Sequence, residues 1–236
     1  MNFKHQNMKP AANHQNTFII SYLTLRKAIG WLGLLLPFVL IFGNALANAL
    51  YDYEYGCSIF KSSVSHYYYT RMGEVFVGTI FAFALFLFCY KGPEKIDSNL
   101  SNIAGLFALG IAMFPTSSDD VITCNLRNYT SSETIGNIHF ACAALFFLTL
   151  AHMSFWIFTK SGPTKTPQKI KRNFIYRTCA LVMVGALAII AVYVLWIRDA
   201  NPSLEDYHPV FWLEALALVA FGFSWLIKGE FMLKDE

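Results

Sequence analysis

The sequence predicts an all-α polytopic membrane protein: a single bundle of six transmembrane helices with both termini in the cytoplasm. The 236 residues are 56% hydrophobic and only 14% charged, whereas about one quarter of the residues in a soluble domain are charged. The apolar residues occur in blocks near 20 residues long, which is the length of a membrane span. Because no long linker separates the blocks, one bundle is favoured over two domains.

Six apolar blocks define the predicted spans, and the polar segments outside them define three regions of the chain. Residues 1–28 form a polar cytoplasmic tail, residues 29–228 the transmembrane domain and residues 229–236 a second cytoplasmic tail. A cleavable signal peptide is the rival interpretation of the first block, but the polar segment before it is long for one. The predicted spans are approximately 29–50, 72–90, 100–114, 135–158, 174–197 and 209–227.

Lysine and arginine residues are distributed unequally between the two sides of this topology. Fourteen of them fall in the two tails, in the loops after spans two and four, and at the adjoining span ends; four fall on the other side. Positive residues are enriched in cytoplasmic loops. The count therefore predicts that both tails are cytoplasmic.

Cysteine positions follow the same division. Cys57 and Cys124 lie in the first and third loops, which are both predicted to be outside, and the other three cysteines lie in spans. An oxidising exterior favours a Cys57–Cys124 disulfide. The alternative is a pair of thiols too far apart to form a bond.

Polar residues of several spans are predicted to share one depth, near the outer ends. Charged groups within a bilayer are costly and usually face the bundle interior. We therefore predict an outward-opening pocket; the alternative is a set of helix-end residues that reach water beside a tyrosine belt. The predicted pocket residues are Asn44, His66, Tyr69, Glu74, Asp120, His139 and Glu214.

Three histidines of this region are residue types that bind zinc. His66, His139 and His208 are the candidate ligands, with an acid supplied by Asp120, its neighbour Asp119 or Glu214. Their spacing is not diagnostic, since the chain contains no His-x-x-x-His and no His-Glu-x-x-His motif. Zinc is therefore a possible cofactor.

Two resemblances to known families accompany these observations. Ser62-Ser63-Val64-Ser65-His66, with the later Asp and His residues, faintly resembles the alkaline ceramidase and adiponectin-receptor group. That resemblance implies a zinc-dependent lipid hydrolase, although those proteins have seven spans and a closing His-x-x-x-His pair.

The second resemblance extends along most of the chain. It is to uncharacterised six-span bacterial membrane proteins and, more distantly, to the damage-regulated autophagy modulators. It implies a six-helix bundle in a bacterial inner membrane with a polar extracytoplasmic end. The segments that carry it are Ser65–Thr70 leading into Glu74–Gly78, Ala104-Gly105, Phe114–Thr116, Ile138–Phe140, Ala143–Phe147 and Phe211–Glu214.

Three functions are compatible with this pattern. The first is a non-enzymatic membrane protein that binds a lipid, a small molecule or a partner in the outer pocket. The second is a membrane-embedded, zinc-dependent lipid hydrolase, and the third is a proton-coupled transporter that uses Glu74, Glu214 and His139. Membrane lipids are expected partners. Nucleic acid is not, because no basic cluster is interleaved with aromatic residues.

Overall fold

The computed structural model describes residues 12–50, 58–117, 132–162 and 166–234, with side chains from residue 22 onward. These residues form long helices and no strand. Single π-helical turns extend α4 over Met153–Ile157 and α5 over Tyr193–Ile197, and two 3₁₀ helices span Ser65–Tyr69 and Pro202–Tyr207. The helices are α1 (Ala12–Leu50), α2 (Gly73–Cys89), α3 (Lys95–Met113), α4 (Glu133–His152), α5 (Pro167–Val192) and α6 (Pro209–Lys228).

Five of these helices are long and apolar enough to cross a membrane, as judged by length and composition. The apolar helix α2 is shorter, at 17 residues, which corresponds to about 25 Å. The all-helical fold is thus confirmed for the described residues, and the apolar helices are those of an integral membrane protein.

The helices pack in a ring that follows chain order. Each helix contacts the next, and α6 closes the ring by packing along α1. A layer of buried aromatic rings fills the middle of the bundle. Phe221 of α6 lies 5.4 Å from Phe83 and 6.1 Å from Trp225, measured between ring centroids, and all three are fully buried. The centre of the bundle is therefore tightly packed and apolar.

Two glycines allow α1 and α6 to approach at their crossing. A Cβ atom at Gly222 would lie 2.5 Å from the carbonyl oxygen of Gly30 and 2.5 Å from the backbone nitrogen of Leu34. Small residues at helix crossings in membranes permit this backbone proximity. The glycines of the first and last long helices therefore fix how the ring closes.

Several helices begin earlier than the hydrophobic pattern predicts. The first begins at Ala12 instead of residue 29, and the fifth at Pro167 instead of residue 174. Thr166 caps α5 by accepting a hydrogen bond at Oγ1 from the backbone N–H of Lys169 at 3.1 Å. The hydrophobic blocks mark the part of each helix that suits lipid, whereas caps and helix propensity set where the helix begins.

One end of the ring, here called the basic end, contains α2–α3 and α4–α5 connections rich in lysine and arginine. Lys160 Nζ forms ion pairs with Asp97 Oδ1 at 2.9 Å and with Glu94 Oε2 at 3.0 Å. Arg26 Nη1 donates to the carbonyl oxygen of Lys228 at 3.2 Å. The side chain of Asp97 is completely buried, and it also closes a capping box with Glu94. These contacts join neighbouring helices of the ring at this end.

Replacing Asp97 with asparagine is expected to lower the free energy of unfolding by about 1–3 kcal/mol, since it removes a buried, charge-assisted partner. Glu94→Gln is the matched control; its carboxylate is 60% exposed, so we expect less than about 1 kcal/mol. Hydrogen bonds from Lys160 to Asp97 and Glu94 raise the pKa of Lys160. This stabilisation should therefore persist at neutral pH and be lost as pH rises through the raised pKa. Denaturant titrations of both variants would measure it; equal losses would contradict the assigned role of Asp97.

Candidate functional site

The opposite end of the ring, here called the junction end, is organised by residues 58–70, which connect α1 to α2. Asn44 of α1 donates from Nδ2 to the carbonyl oxygens of Ser58 at 3.3 Å and Ile59 at 3.0 Å. The hydroxyl of Tyr67 donates to Ile59 at 2.9 Å. Burial raises the pKa of Tyr67 to about 12, so the phenol remains a donor at physiological pH. These bonds fold the segment inward over the helix ends.

The last helix holds the middle of this segment. The backbone N–H of Val64 donates to Oε2 of Glu214 at 2.7 Å, and the N–H of Phe211 donates to the carbonyl oxygen of Ser62 at 3.1 Å. A carboxylate that accepts a backbone N–H satisfies a donor that would otherwise be unpaired in a buried loop. Glu214 thus attaches residues 62–64 to the beginning of α6.

His139 joins the segment to α3 and α4. Its ring is 2% exposed; Nδ1 lies 2.7 Å from the carbonyl oxygen of Phe114, and Nε2 lies 2.9 Å from Oγ of Ser65. A carbonyl oxygen only accepts hydrogen bonds, so Nδ1 must carry the proton. In the neutral imidazole Nε2 then accepts, and Ser65 donates. The imidazole therefore joins the end of α3 to residues 58–70.

Ser63 and His66 form a local contact on the same segment. Ser63 Oγ lies 2.6 Å from Nδ1 of His66 and accepts the backbone N–H of His66 at 3.2 Å. A serine that accepts an N–H three residues ahead caps a helical turn. The Ser63 hydroxyl is thus bonded twice to His66, at the beginning of the Ser65–Tyr69 3₁₀ helix.

A cavity of about 590 Å³ lies beside this framework. Small-molecule sites typically have volumes of about 300–1,000 Å³. Two of its lining residues lie on either side of residues 118–131, which the structure does not describe. Ser117 comes before them and Glu133 after them. The lining residues belong to the 58–70 segment, to the segment after α3, to the beginnings of α4 and α6, to the end of α5, and to the Pro202–Tyr207 3₁₀ helix. They are mostly polar: Ser62, Ser63, His66, Ser117, Glu133, Asn137, Phe140, Tyr193, Val194, Arg198, Glu205, His208, Pro209 and Val210.

The residues of the predicted pocket separate into three groups. His66, together with the candidate zinc ligand His208, lines the cavity. Glu74 lies at the exposed beginning of α2, and Asp120 falls outside the described residues. The other four serve as buried or half-buried supports: Asn44, His139, Glu214 and Tyr69, whose hydroxyl donates to the carbonyl oxygen of Thr116.

The described histidines do not by themselves form a metal site, and zinc binding stays a prediction. Both ring nitrogens of His139 already have protein partners, and the ring of His208 stacks on Phe60 with centroids 6.0 Å apart. Within the described ranges, no group of three or more His, Cys, Asp or Glu side chains could hold a metal ion. The possible acid ligands Asp119 and Asp120 lie outside those ranges.

The predicted disulfide concerns residues that the structure does not describe. Cys57 and Cys124 both lie outside the described ranges, so the Cys57–Cys124 pairing stays a prediction. Among the described cysteines, Cys89, Cys142 and Cys179 are unpaired.

Much of the cavity wall was absent from the sequence-based prediction. Tyr193, Arg198 and Glu205 belong to the end of α5 and to the connection before α6, where a hydrophobic pattern ends without an obvious motif. The π-helical turn Tyr193–Ile197 changes which side chains face inward, and such turns often occur at functional sites. The only available signal was the cluster of ionisable residues from Arg198 to His208.

The chain matches no protein-family model, no curated protein sequence and no solved structure. Its functional interpretation therefore depends on the geometry of the junction end.

Proposed function

We propose that this protein is a six-span membrane protein that binds a lipid headgroup in the cavity at the junction end. The observation that carries the proposal is a cavity of about 590 Å³ in which most lining residues are polar or ionisable, at one end of a bundle whose middle is filled by buried aromatic rings. Polar groups within a membrane protein are costly and commonly mark a binding site.

The aromatic residues around the cavity favour a lipid over a freely diffusing molecule. Trp196 and Trp212 lie close in sequence to cavity residues of α5 and α6, and their side chains are 69% and 52% exposed. Exposed tryptophans concentrate at the level of lipid headgroups. A headgroup could therefore enter the cavity sideways while its acyl chains remain in the bilayer.

The charge distribution supports an extracytoplasmic cavity. The basic end carries Lys91, Lys95, Lys160, Lys169 and Lys171 on its helix ends and connections, whereas the described part of the junction end has only Lys61, Arg71 and Arg198. Positive residues favour the cytoplasmic side. We therefore propose that both chain termini are cytoplasmic and that the protein lies in a bacterial inner membrane.

Filling the cavity tests this function. We expect Asn137→Trp to abolish retention of one phospholipid by protein purified in detergent and offered a mixture of phosphatidylethanolamine, phosphatidylglycerol and cardiolipin. Asn137 is an exposed residue of the cavity wall, so the larger side chain can enter the cavity without disturbing the core. Native mass spectrometry would count the retained lipids.

The control is Leu181→Trp, on a surface of α5 that is 64% exposed. This change adds the same bulky side chain away from the cavity and should leave the lipid count unchanged. Identical counts for wild type and both variants would refute headgroup binding in the cavity.

The two alternative functions have less support. A zinc hydrolase needs ligands that the described residues do not bring together. A proton-coupled transporter needs a polar route through the bundle, but Phe83, Phe146 and Phe221 occupy its middle and are at most 1% exposed. This conformation therefore favours a binding site that is closed toward the basic end.

A further inference from the structure

The cavity brings charges of both signs together. Glu133 and Glu205 contribute carboxylates, and Arg198 contributes a guanidinium. Arg198 Nε lies 3.7 Å from Oδ1 of Asp199, whose side chain is 93% exposed. An ion pair with so exposed a partner is weak. The guanidinium therefore remains available for another anion.

Tyr193 provides a second and independent observation. Its side chain lines the cavity and is 5% exposed, yet its hydroxyl has no hydrogen-bond partner among the described residues. A buried hydroxyl without a partner destabilises the protein, since its hydrogen bonds to water are lost without replacement. A ligand that accepts or donates a hydrogen bond here would remove the cost.

His208, another residue of the cavity lining, repeats this feature. Its Nδ1 atom is buried and has no hydrogen-bond partner in the described part of the chain. The residue has φ 50° and ψ 51°, a left-handed conformation at the junction between the Pro202–Tyr207 helix and α6. Non-glycine residues in this region commonly occur at functional sites. Two residues of the cavity lining, on two elements, thus each carry a buried polar atom without a hydrogen-bond partner among the described residues.

From these observations we infer that the cavity binds a zwitterion, namely an ammonium group linked to a phosphate, as in phosphoethanolamine. Arg198 binds the phosphate, Tyr193 donates to a phosphate oxygen, and the carboxylates of Glu133 and Glu205 bind the ammonium. A simple anion would meet two carboxylates, and a simple cation would meet the guanidinium, so a ligand of one sign is disfavoured. This inference rests on the proposed headgroup site and specifies its chemistry.

The test compares zwitterionic and anionic ligands on the full-length protein in detergent. Phosphatidylethanolamine and phosphatidylglycerol with identical acyl chains are titrated separately, and soluble phosphoethanolamine forms a third arm. We expect phosphatidylethanolamine to bind at least about tenfold more tightly than phosphatidylglycerol, the size of one charge-assisted hydrogen bond. If soluble phosphoethanolamine displaces phosphatidylethanolamine, the headgroup alone is recognised. If phosphatidylethanolamine binds and soluble phosphoethanolamine does not, the acyl chains also contribute to binding.

Three variants separate binding from folding. Arg198→Gln and Glu205→Gln should each weaken phosphatidylethanolamine binding about tenfold. Tyr193→Phe should weaken binding about threefold or more while leaving the thermal stability of the ligand-free protein unchanged or higher, because it removes an unpaired hydroxyl. Tyr207→Phe, at a tyrosine that is 73% exposed, is the matched control and should change neither quantity.

The outcomes distinguish the two proposals. Equal affinity for the two lipids, with both blocked by Asn137→Trp, would overturn the zwitterion and leave headgroup binding intact. Binding of neither lipid would overturn both proposals. Loss of ligand-free stability in Tyr193→Phe would mean that its hydroxyl supports the fold, and would overturn its assigned contact with the phosphate.

Discussion

Gly222→Ala is expected to destabilise the bundle far more than Gly185→Ala, although each substitution adds only one methyl group. The added Cβ would lie 2.5 Å from the carbonyl oxygen of Gly30 and 2.5 Å from the backbone nitrogen of Leu34. Carbon and its neighbours normally pack at about 3.5–4.0 Å, and neither backbone atom can rotate away. The helices α1 and α6 must therefore separate, and we expect a loss of about 1–3 kcal/mol or more in the free energy of unfolding.

Gly185→Ala provides the matched control. A Cβ at Gly185 of α5 would meet no atom within 4 Å, so this substitution should be neutral or stabilise the helix by up to about 1 kcal/mol. Reversible unfolding in mixed micelles, followed by circular dichroism, would measure both variants. Equal stability of the two variants would show that α1 and α6 do not cross at Gly222.

Removing the His139 imidazole is expected to have the second large effect. His139→Ala leaves two buried groups, the carbonyl oxygen of Phe114 and the hydroxyl of Ser65, without their partners. It also leaves a void where a nearly fully buried ring was. We expect the free energy of unfolding to fall by about 2–4 kcal/mol. Each unsatisfied buried group costs about 1–3 kcal/mol, and part of this cost is recovered when the surrounding structure relaxes.

The control for this variant lies on the same helix. His152→Ala replaces an exposed histidine near the end of α4, and surface substitutions usually change stability by less than about 0.5 kcal/mol. The same unfolding assay applies to both proteins. If His139→Ala were as stable as His152→Ala, the imidazole would not be the link between α3, α4 and residues 58–70.

The hydrophobic pattern was sufficient to predict the helical architecture but not the helix ends. Apolar blocks located the central part of each long helix, because lipid-facing and core-facing positions are both apolar. The polar beginning of α5 was interpreted as a loop, although Thr166-Pro167 carries the cap and first-turn proline of a helix. A run of charged residues does not exclude a helix, since lysine and arginine are good helix formers.

The sequence predicted the depth of several polar residues in the membrane, but it did not predict which residues they contact. His139 and Glu214 do meet residues 58–70, as a shared level near the helix ends suggested. Depth gives no information on rotation about the helix axis, so the exposed position of Glu74 could not be foreseen. Tyr193 was missed for a related reason, since a π-helical turn alters the side-chain register that a regular helix would have.

We expect the polar cavity at the junction end to open to the outside of the cell. In a background in which all five cysteines are replaced by alanine, Asn137→Cys would place one thiol in the cavity wall, and Lys171→Cys would place one at the basic end. Treating intact cells with a membrane-impermeant maleimide should label Asn137→Cys at once and Lys171→Cys only after lysis. Labelling of Lys171→Cys in intact cells, with Asn137→Cys reacting only after lysis, would contradict the orientation and the proposed access to the cavity.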